Sequence, residues 1–189
     1  APRDHAFPKD VAPSVVVTAK TIDPAKGEAL AAEGAAGVTQ PDIRWGRCDI
    51  KTVGLLANVL AKQAARERGA YECLLVDEMG LITEGSSTNA WIVDEAGKLR
   101  TRDTQANILR GVTRTKLLEI IAEEGLELYE RPFSVDEAKA ARELFVTAAS
   151  TFVMPLVSLD GDRIGDGKPG PVATRLRAAY LERADRDAV

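Results

Sequence analysis

The chain has 189 residues, of which 45% are hydrophobic, and its formal net charge is −4 at pH 7. This composition fits one large domain or two small ones, with enough apolar side chains to bury a core. Because phosphate backbones recruit net basic surfaces, the charge argues against a nucleic-acid partner. No apolar run is long enough to span a bilayer and nothing resembles a secretory signal, so we expect no membrane partner.

Metal chemistry is also not expected from this sequence. The two cysteines, Cys48 and Cys73, show neither a CxxC motif nor Cys/His ligand spacing, and His5 is the only histidine. Free thiols and the absence of a signal sequence favour a cytoplasmic protein.

The first predicted elements cover the amino-terminal third of the chain. Residues 14–19 (SVVVTA) are rich in β-branched side chains and predict a strand. Residues 24–37 show no clear period, so they are predicted as a loop with one helical turn at most. Apolar residues at helical spacing over residues 53–68 predict a helix that ends at Gly69.

The rest of the chain alternates short predicted strands with helices. Turn signals at Gly80, Gly97 and the Asp160-Gly161 step separate neighbouring strands. The predicted strands are YECLLVD, LITEG, two in NAWIVDEAGKLRT, LELYERPF, ELFVTAA and two in FVMPLVSLDGDRI. The predicted helices cover residues 112–124, SVDEAKAA with a serine cap, and residues 171–186. This mixture predicts an α+β fold rather than a doubly wound parallel sheet.

Lys51 lies between RCDI and a long Leu/Val/Ala run. An amine is a nucleophile only when deprotonated, and a dry environment favours the uncharged form. We therefore expect a chemically active Lys51 to emerge from a packed strand–helix junction, shielded from water. A lysine at a helix start whose amine reaches solvent is the alternative, and this segment alone favours it.

Two further segments carry weak signals of their own. In ITEGSSTNAW, Glu84 follows an apolar strand and precedes a turn rich in hydroxyls and backbone donors. An ordinary β-turn with an exposed glutamate is the alternative. In ILRGVTR, a helix begins at Gly111-Val112-Thr113, where unpaired N–H groups can bind an anion. A plain helix cap explains this pattern equally well.

Together, RWGRCDIK, TEGSSTNAW, ILRGVTR and ELFVTAASTFVMPL resemble the fold-type IV pyridoxal-phosphate enzymes. That family includes D-amino acid aminotransferases, branched-chain aminotransferases, (R)-selective amine transaminases and aminodeoxychorismate lyases. The resemblance extends from PRDHAFP to DGKPGPVATRL. It implies the large domain of this α+β fold, with mixed sheets in a pseudo-barrel and flanking helices. Residues 1–22 would be the end of a small lobe and residues 23–189 the cofactor-binding domain.

The resemblance implies specific contacts to pyridoxal 5'-phosphate. Lys51 would form the internal aldimine and later move the substrate proton, and Glu84 would pair with the pyridine nitrogen. Leu109 would pack on the ring, while Val112 and Thr113 would form the phosphate cup. At most, Ser86, Ser87 and Asn89 would support the residues that contact the cofactor, without contacting it themselves.

One predicted phosphate contact departs from the family pattern. Hydroxyl residues commonly stand where this chain has Ala148 and Ala149. Ala149 could therefore contact the phosphate only through its backbone N–H. The lobe that precedes PRDHAFP in the family usually adds an arginine for the phosphate and a tyrosine near the substrate, and this chain includes neither.

The resemblance also suggests which substrate is used. PRDHAFP is similar to the D-amino acid aminotransferase motif in which an arginine and a histidine bind the substrate carboxylate, here Arg3 and His5. Leu56 stands where branched-chain enzymes usually carry a tyrosine. Both features favour a transaminase that uses D-amino acids and 2-keto acids. The resemblance to the family also implies a homodimer. Aminodeoxychorismate lyase, branched-chain L-amino acid aminotransferase and a degenerate non-catalytic homologue remain the alternatives.

Overall fold

The computed structural model describes residues 5–7, 9–21, 23–105 and 107–187. The helices are α1 (Pro24–Glu33), α2 (Leu56–Glu67), α3 (Val112–Glu123), α4 (Val135–Ala140) and α5 (Pro171–Asp187). The strands are β1 (Ala35–Pro41), β2 (Glu72–Val76), β3 (Ile82–Gly85), β4 (Asn89–Val93), β5 (Leu99–Thr101), β6 (Leu128–Glu130), β7 (Glu143–Ala148), β8 (Phe152–Leu159) and β9 (Asp162–Arg163).

Within the described residues, the strands form one mixed sheet. Its order is β3-β2-β1-β8-β7-β4-β5-β6, and β9 pairs with β8. The pairs β1–β2, β1–β8 and β5–β6 are parallel, whereas the other neighbours are antiparallel. The sheet is a half-barrel with flanking helices, which confirms the predicted α+β class and the fold-type IV architecture.

Both faces of the central strands are buried. Along β4, Ala90 and Ile92 face one apolar cluster, while Trp91 and Val93 face a second. Apolar side chains of α3 and α5 join the second cluster, and Phe133, between β6 and α4, fills the first. Because successive side chains of a strand point to opposite faces, helices must cover both sides of such a sheet. None of the helices in the described ranges is long and apolar enough to cross a membrane.

The predicted strand over residues 14–19 is wrong. The structure has no regular secondary structure over described residues 9–21, and Val15, Val16 and Val17 are exposed. β-branched residues favour strands mainly when their side chains pack on a half-buried surface. Here no neighbouring strand pairs with the segment in the described residues, so propensity alone does not make it a strand.

The predicted loop over residues 24–37 is also wrong, because it contains α1 and the start of β1. Asp23 caps the helix, and its carboxylate accepts from the Ala25 backbone N–H at 3.0 Å. Pro24 occupies the first helical turn, where its missing N–H costs nothing. The Asp-Pro pair was the overlooked signal, since it starts a helix without any amphipathic period.

The other predicted elements are confirmed, with ends that differ by a few residues. The helix predicted over 53–68 begins later, at Leu56, and residues 42–55 form neither helix nor strand. Gly69 follows that helix with a φ of +68°, and Gly125 follows α3 with a φ of +66°, as expected for glycines that end helices. Lys51 lies within this irregular segment, and the late start of α2 separates it from the helix by four residues.

Candidate active site

A cavity of about 370 Å³ lies where four separate parts of the chain meet. Its lining comes from the segment between residues 44 and 58, the β3–β4 turn at 84–89, residues 109–113 before and at the start of α3, and residues 147–149 at the end of β7. The cavity brings together most of the predicted site residues, namely Lys51, Glu84, Ser86, Ser87, Asn89, Leu109, Val112, Thr113 and Ala149.

Glu84 is buried at the cavity wall, with only 5% of the residue exposed. Its carboxylate accepts hydrogen bonds from the Arg44 guanidinium, from the Asn89 amide at 2.9 Å and from the Leu109 backbone N–H at 3.1 Å. An ionised carboxylate has about four acceptor positions. The Leu109 N–H is shared with the second oxygen at 3.2 Å, so these three donors hold both oxygens of the carboxylate, and the alternative of an exposed glutamate in an ordinary turn is wrong.

Asn89 connects Glu84 to the start of α3. Its amide also donates to the Leu109 carbonyl at 2.9 Å. A Cβ atom at Gly111 would lie 2.3 Å from the Asn89 side-chain oxygen, so only glycine fits there without displacing Asn89. Asn89 thus links the Glu84 carboxylate to the residues that precede α3.

The start of α3 presents unpaired donors to the cavity. Gly111 is the N-cap and makes no side-chain cap. Thr113 is 2% exposed, and its buried hydroxyl has no hydrogen-bond partner among the described residues. A buried hydroxyl without a partner costs free energy. Together with the N–H groups of a helix start, it matches a site for an anionic group.

Lys51 lines the cavity but is exposed, so the expectation that it would be shielded by packing is wrong. The apolar residues that follow it do not pack over it, because Val53, Leu55 and Leu56 are themselves exposed. The hydrophobic run predicted a junction that buries these residues. In the described residues the run instead leaves its first apolar side chains on the surface beside the cavity.

Among the predicted substrate residues, those that the structure describes do not line the cavity. Arg3 lies outside the described residues, and His5 is exposed and is not among the residues that line the cavity. Leu56 is 72% exposed and also lies outside the lining, which includes Leu55 instead. The structure therefore gives no support to Leu56 as a substrate marker.

Glu72 is a supporting residue that the sequence analysis missed. It is fully buried in β2, and its carboxylate accepts from the Ser86 hydroxyl at 2.5 Å and from the Cys73 backbone N–H at 2.8 Å. Lys62 of α2 lies 3.3 Å away and pairs with it. An acidic residue in the apolar strand ECLLV was the available signal, because buried charges are almost always paired.

Arg44 was also missed, although it lies within the quoted motif RWGRCDIK. It lines the cavity and binds both Asp42 and Glu84. Asp42 also accepts from the Arg44 backbone N–H at 3.1 Å, so the two residues at this i, i+2 spacing are held together in a local turn. The spacing of Asp42 and Arg44 can be recognised in the sequence, but the contact of Arg44 with Glu84, forty residues away, cannot.

The amino-transferase class IV family matches residues 1–159 of this chain, and the chain belongs to that family. The resemblance to fold-type IV pyridoxal-phosphate enzymes is thereby confirmed. The chain is 38% identical to a D-alanine aminotransferase of Bacillus licheniformis over 179 residues, which is 95% of this chain and 62% of the relative. It is also 38% identical to a D-alanine aminotransferase of Staphylococcus aureus over 182 residues, which is 95% of this chain and 63% of that relative.

Solved structures of branched-chain amino acid aminotransferases have the same fold. The enzyme of Thermobaculum terrenum, in its form with bound cofactor, gives a TM-score of 0.71 at 26% identity, over 79% of this chain and 50% of that one. The Escherichia coli enzyme gives a TM-score of 0.67 at 27% identity, over 79% of this chain and 52% of that one. The chain thus spans less than two thirds of the curated relatives and about half of these structures.

Proposed function

We propose that this chain forms the cofactor-binding part of a pyridoxal-phosphate-dependent aminotransferase, which moves an amino group between an amino acid and a 2-keto acid. One observation carries the proposal. A single cavity collects a lysine amine, a buried carboxylate and the open start of a helix, contributed by separate parts of the chain. Residues 23–189 would form the cofactor-binding domain, and residues 1–22 the end of a small lobe.

The residues present fit pyridoxal phosphate. The buried Thr113 hydroxyl lacks a partner among the described residues and lies at the start of α3, as a phosphate-binding group would. Val112 and Ala149 line the same cavity and can add backbone N–H groups, while Leu109 can contact the ring. A cavity of about 370 Å³ is within the range for small cofactors. When bound, the cofactor supplies an electron sink for the substrate carbanion.

Two side chains would then act on the reaction. Nζ of Lys51 would form the covalent link to the cofactor, and once the substrate amine has displaced it, Nζ would take the α-proton of the amino acid and deliver it to the cofactor carbon that it had been bound to. Glu84 would accept a hydrogen bond from the protonated ring nitrogen and stabilise its positive charge. Both roles need the side chains close to one cavity, and both line it.

We further propose a homodimer in the cytoplasm. The support for the dimer is a group of exposed apolar side chains beside the cavity, which a second copy would cover. They are Ile43, Trp45, Ile50, Val53, Leu55 and Leu56. Such a cover would also exclude water from Lys51, which the described residues leave exposed.

D-amino acids are the proposed substrates, with Arg3 and His5 as binders of the carboxylate. The names of the curated relatives support D-alanine, whereas the solved neighbours are branched-chain enzymes. The deciding experiment supplies the purified protein with pyridoxal phosphate and 2-oxoglutarate, and offers D-alanine, L-alanine or L-leucine. Pyruvate formed from D-alanine alone supports the proposal, while turnover of L-leucine alone supports the branched-chain alternative. Pyruvate released from aminodeoxychorismate without an amino acceptor would indicate the lyase.

Thr113→Val tests the proposed phosphate site. The substitution keeps the shape and removes a hydroxyl that has no partner among the described residues, so the free energy of unfolding of the cofactor-free protein should stay the same or rise slightly. The dissociation constant for pyridoxal phosphate should rise about 10- to 100-fold, because a hydrogen bond to a charged group contributes about 1.5–3 kcal/mol. Denaturant unfolding and a fluorescence titration measure the two quantities. An unchanged dissociation constant would remove Thr113 from the site.

A further inference from the structure

Arg44 links two buried carboxylates beside the cavity. Its Nε and Nη2 donate to the two oxygens of Asp42 at 2.9 and 2.7 Å, and its Nη1 donates to Glu84. The side chains of Arg44, Glu84 and Asp42 are only 5%, 6% and 11% exposed. This buried group, which we call the Asp42–Arg44–Glu84 triad, lies at the cavity wall, and the function proposed above uses only its glutamate.

The triad fixes the direction of the guanidinium. Asp42 binds Arg44 with both oxygens, and it also accepts from the Thr83 hydroxyl at 2.8 Å. Thr83 lies in β3, which pairs with β2, so the sheet holds this donor in place. A planar guanidinium held along one edge has little freedom to rotate. The remaining nitrogen, Nη1, is thereby held against Glu84.

The charges of the triad depend on one another. Burial raises the pKa of Glu84 above its ordinary value, and the charge and hydrogen bond of Arg44 oppose that rise. Burial also opposes ionisation of Asp42, yet hydrogen bonds from Arg44 and Thr83 hold its pKa below the ordinary range. Arg44 is thus the cation that opposes the effect of burial on both carboxylates.

We propose that Arg44 is a positioning residue of the proposed aminotransferase, which keeps Glu84 ionised and oriented so that it can accept from a protonated ring nitrogen. The inference rests on the proposed function. A protonated Glu84 could not stabilise a positive charge on the ring, and a rotated carboxylate would lose its hydrogen bonds to Asn89 and Leu109 and no longer face the cavity in the same direction. Arg44 contacts the carboxylate rather than the reacting atoms.

The titration of Glu84 in the cofactor-free protein tests whether Arg44 keeps Glu84 ionised. Isotope-edited carbon NMR follows the Glu84 carboxyl, with Glu84→Gln to assign its signal. Arg44→Gln should raise the midpoint by about 1–3 pH units, because it removes the nearby opposite charge. Arg47→Gln is the matched control, since Arg47 is exposed and pairs only with Asp49 among the described residues. It should leave the midpoint unchanged.

A second measurement covers the case in which Arg44→Gln does not fold. In the wild-type protein, the inference requires that the Glu84 carboxyl be mostly ionised at pH 7, and a mostly protonated carboxyl there overturns it. Arg44→Lys keeps the charge without the planar fork. It should keep the midpoint closer to wild type than Arg44→Gln does, and an unchanged midpoint in a folded Arg44→Gln protein also overturns the inference.

Cofactor binding tests whether Arg44 orients Glu84 toward the ring nitrogen. Arg44→Gln should raise the dissociation constant for pyridoxal phosphate about 10- to 100-fold and change the pH dependence of its absorption spectrum, while Arg47→Gln should do neither. A shifted Glu84 midpoint with an unchanged affinity and spectrum would overturn the role toward the cofactor. Failure of the wild-type protein to bind pyridoxal phosphate would overturn the proposed function and this inference with it. A wild-type protein that binds the cofactor, with Arg44→Gln indistinguishable from it, overturns this inference alone.

Discussion

Replacing Lys51 with alanine should lower the transamination rate by about 10²–10⁴-fold, the usual contribution of a positioned general acid–base. The amine is the only lysine group that lines the cavity among the described residues, so no neighbour can replace it there. Steady-state rates with D-alanine and 2-oxoglutarate measure the loss. The fold should be intact, because substitution of an exposed side chain usually changes the free energy of unfolding by less than about 0.5 kcal/mol.

Lys26→Ala provides the control for this prediction. Lys26 is exposed on α1, far along the chain from the cavity segments, and it does not line the cavity. Its substitution should leave the rate within about twofold of wild type, as expected for a surface change. A Lys51→Ala protein as active as the Lys26→Ala protein would remove Lys51 from the catalytic role.

Replacing Phe145 with alanine should lower the free energy of unfolding by about 3–5 kcal/mol. Phe145 is fully buried in β7, and its ring stacks on Trp91 with centroids 5.9 Å apart. Removing it leaves a cavity between the sheet and the helices α3 and α5. Since a domain of this size is stable by about 5–15 kcal/mol in total, this loss is a large share.

The same substitution should also disturb the wall of the candidate active-site cavity. Trp91 donates from its ring nitrogen to the Thr147 hydroxyl at 3.0 Å, and Thr147 lines the cavity two residues after Phe145. Urea unfolding followed by circular dichroism gives the free energy. Met79→Ala is the control, because Met79 is 79% exposed and its loss should cost less than about 0.5 kcal/mol. Equal destabilisation by both changes would contradict the position of Phe145 in the core.

The parts of the fold that were predictable from the sequence have strong local signals. Helix α3 ends just before Gly125, helix α4 begins with the Ser134–Glu137 capping box, and the Asp160-Gly161 turn joins β8 to β9. Each signal depends on contacts between residues a few positions apart, so it can be recognised without knowing how the rest of the chain packs. The errors at residues 14–19 and 24–37 came from β propensity without a partner and from a helix that has a cap but little amphipathic period.

The candidate site was predictable only in part. The motifs named Lys51, Glu84, Leu109, Val112, Thr113 and Ala149, and the structure brings them to one cavity. What the motifs lacked were contacts between distant residues, such as Arg44 with Glu84 and Glu72 with Ser86. Side chains forty and fourteen positions apart meet only after the sheet forms. The exposure of Lys51 likewise depends on what packs over it, which a pattern of apolar residues does not specify.

Chemical trapping of the cofactor tests the central claim most directly. The purified protein is mixed with pyridoxal phosphate, its absorbance is recorded, borohydride is added, and the digested protein is mapped by mass spectrometry. The account predicts absorbance above about 400 nm that borohydride abolishes, with a phosphopyridoxyl group on the peptide containing Lys51 and none in the Lys51→Ala protein. A wild-type protein that stays colourless with excess cofactor, or a label that remains elsewhere after Lys51 is replaced, would contradict it.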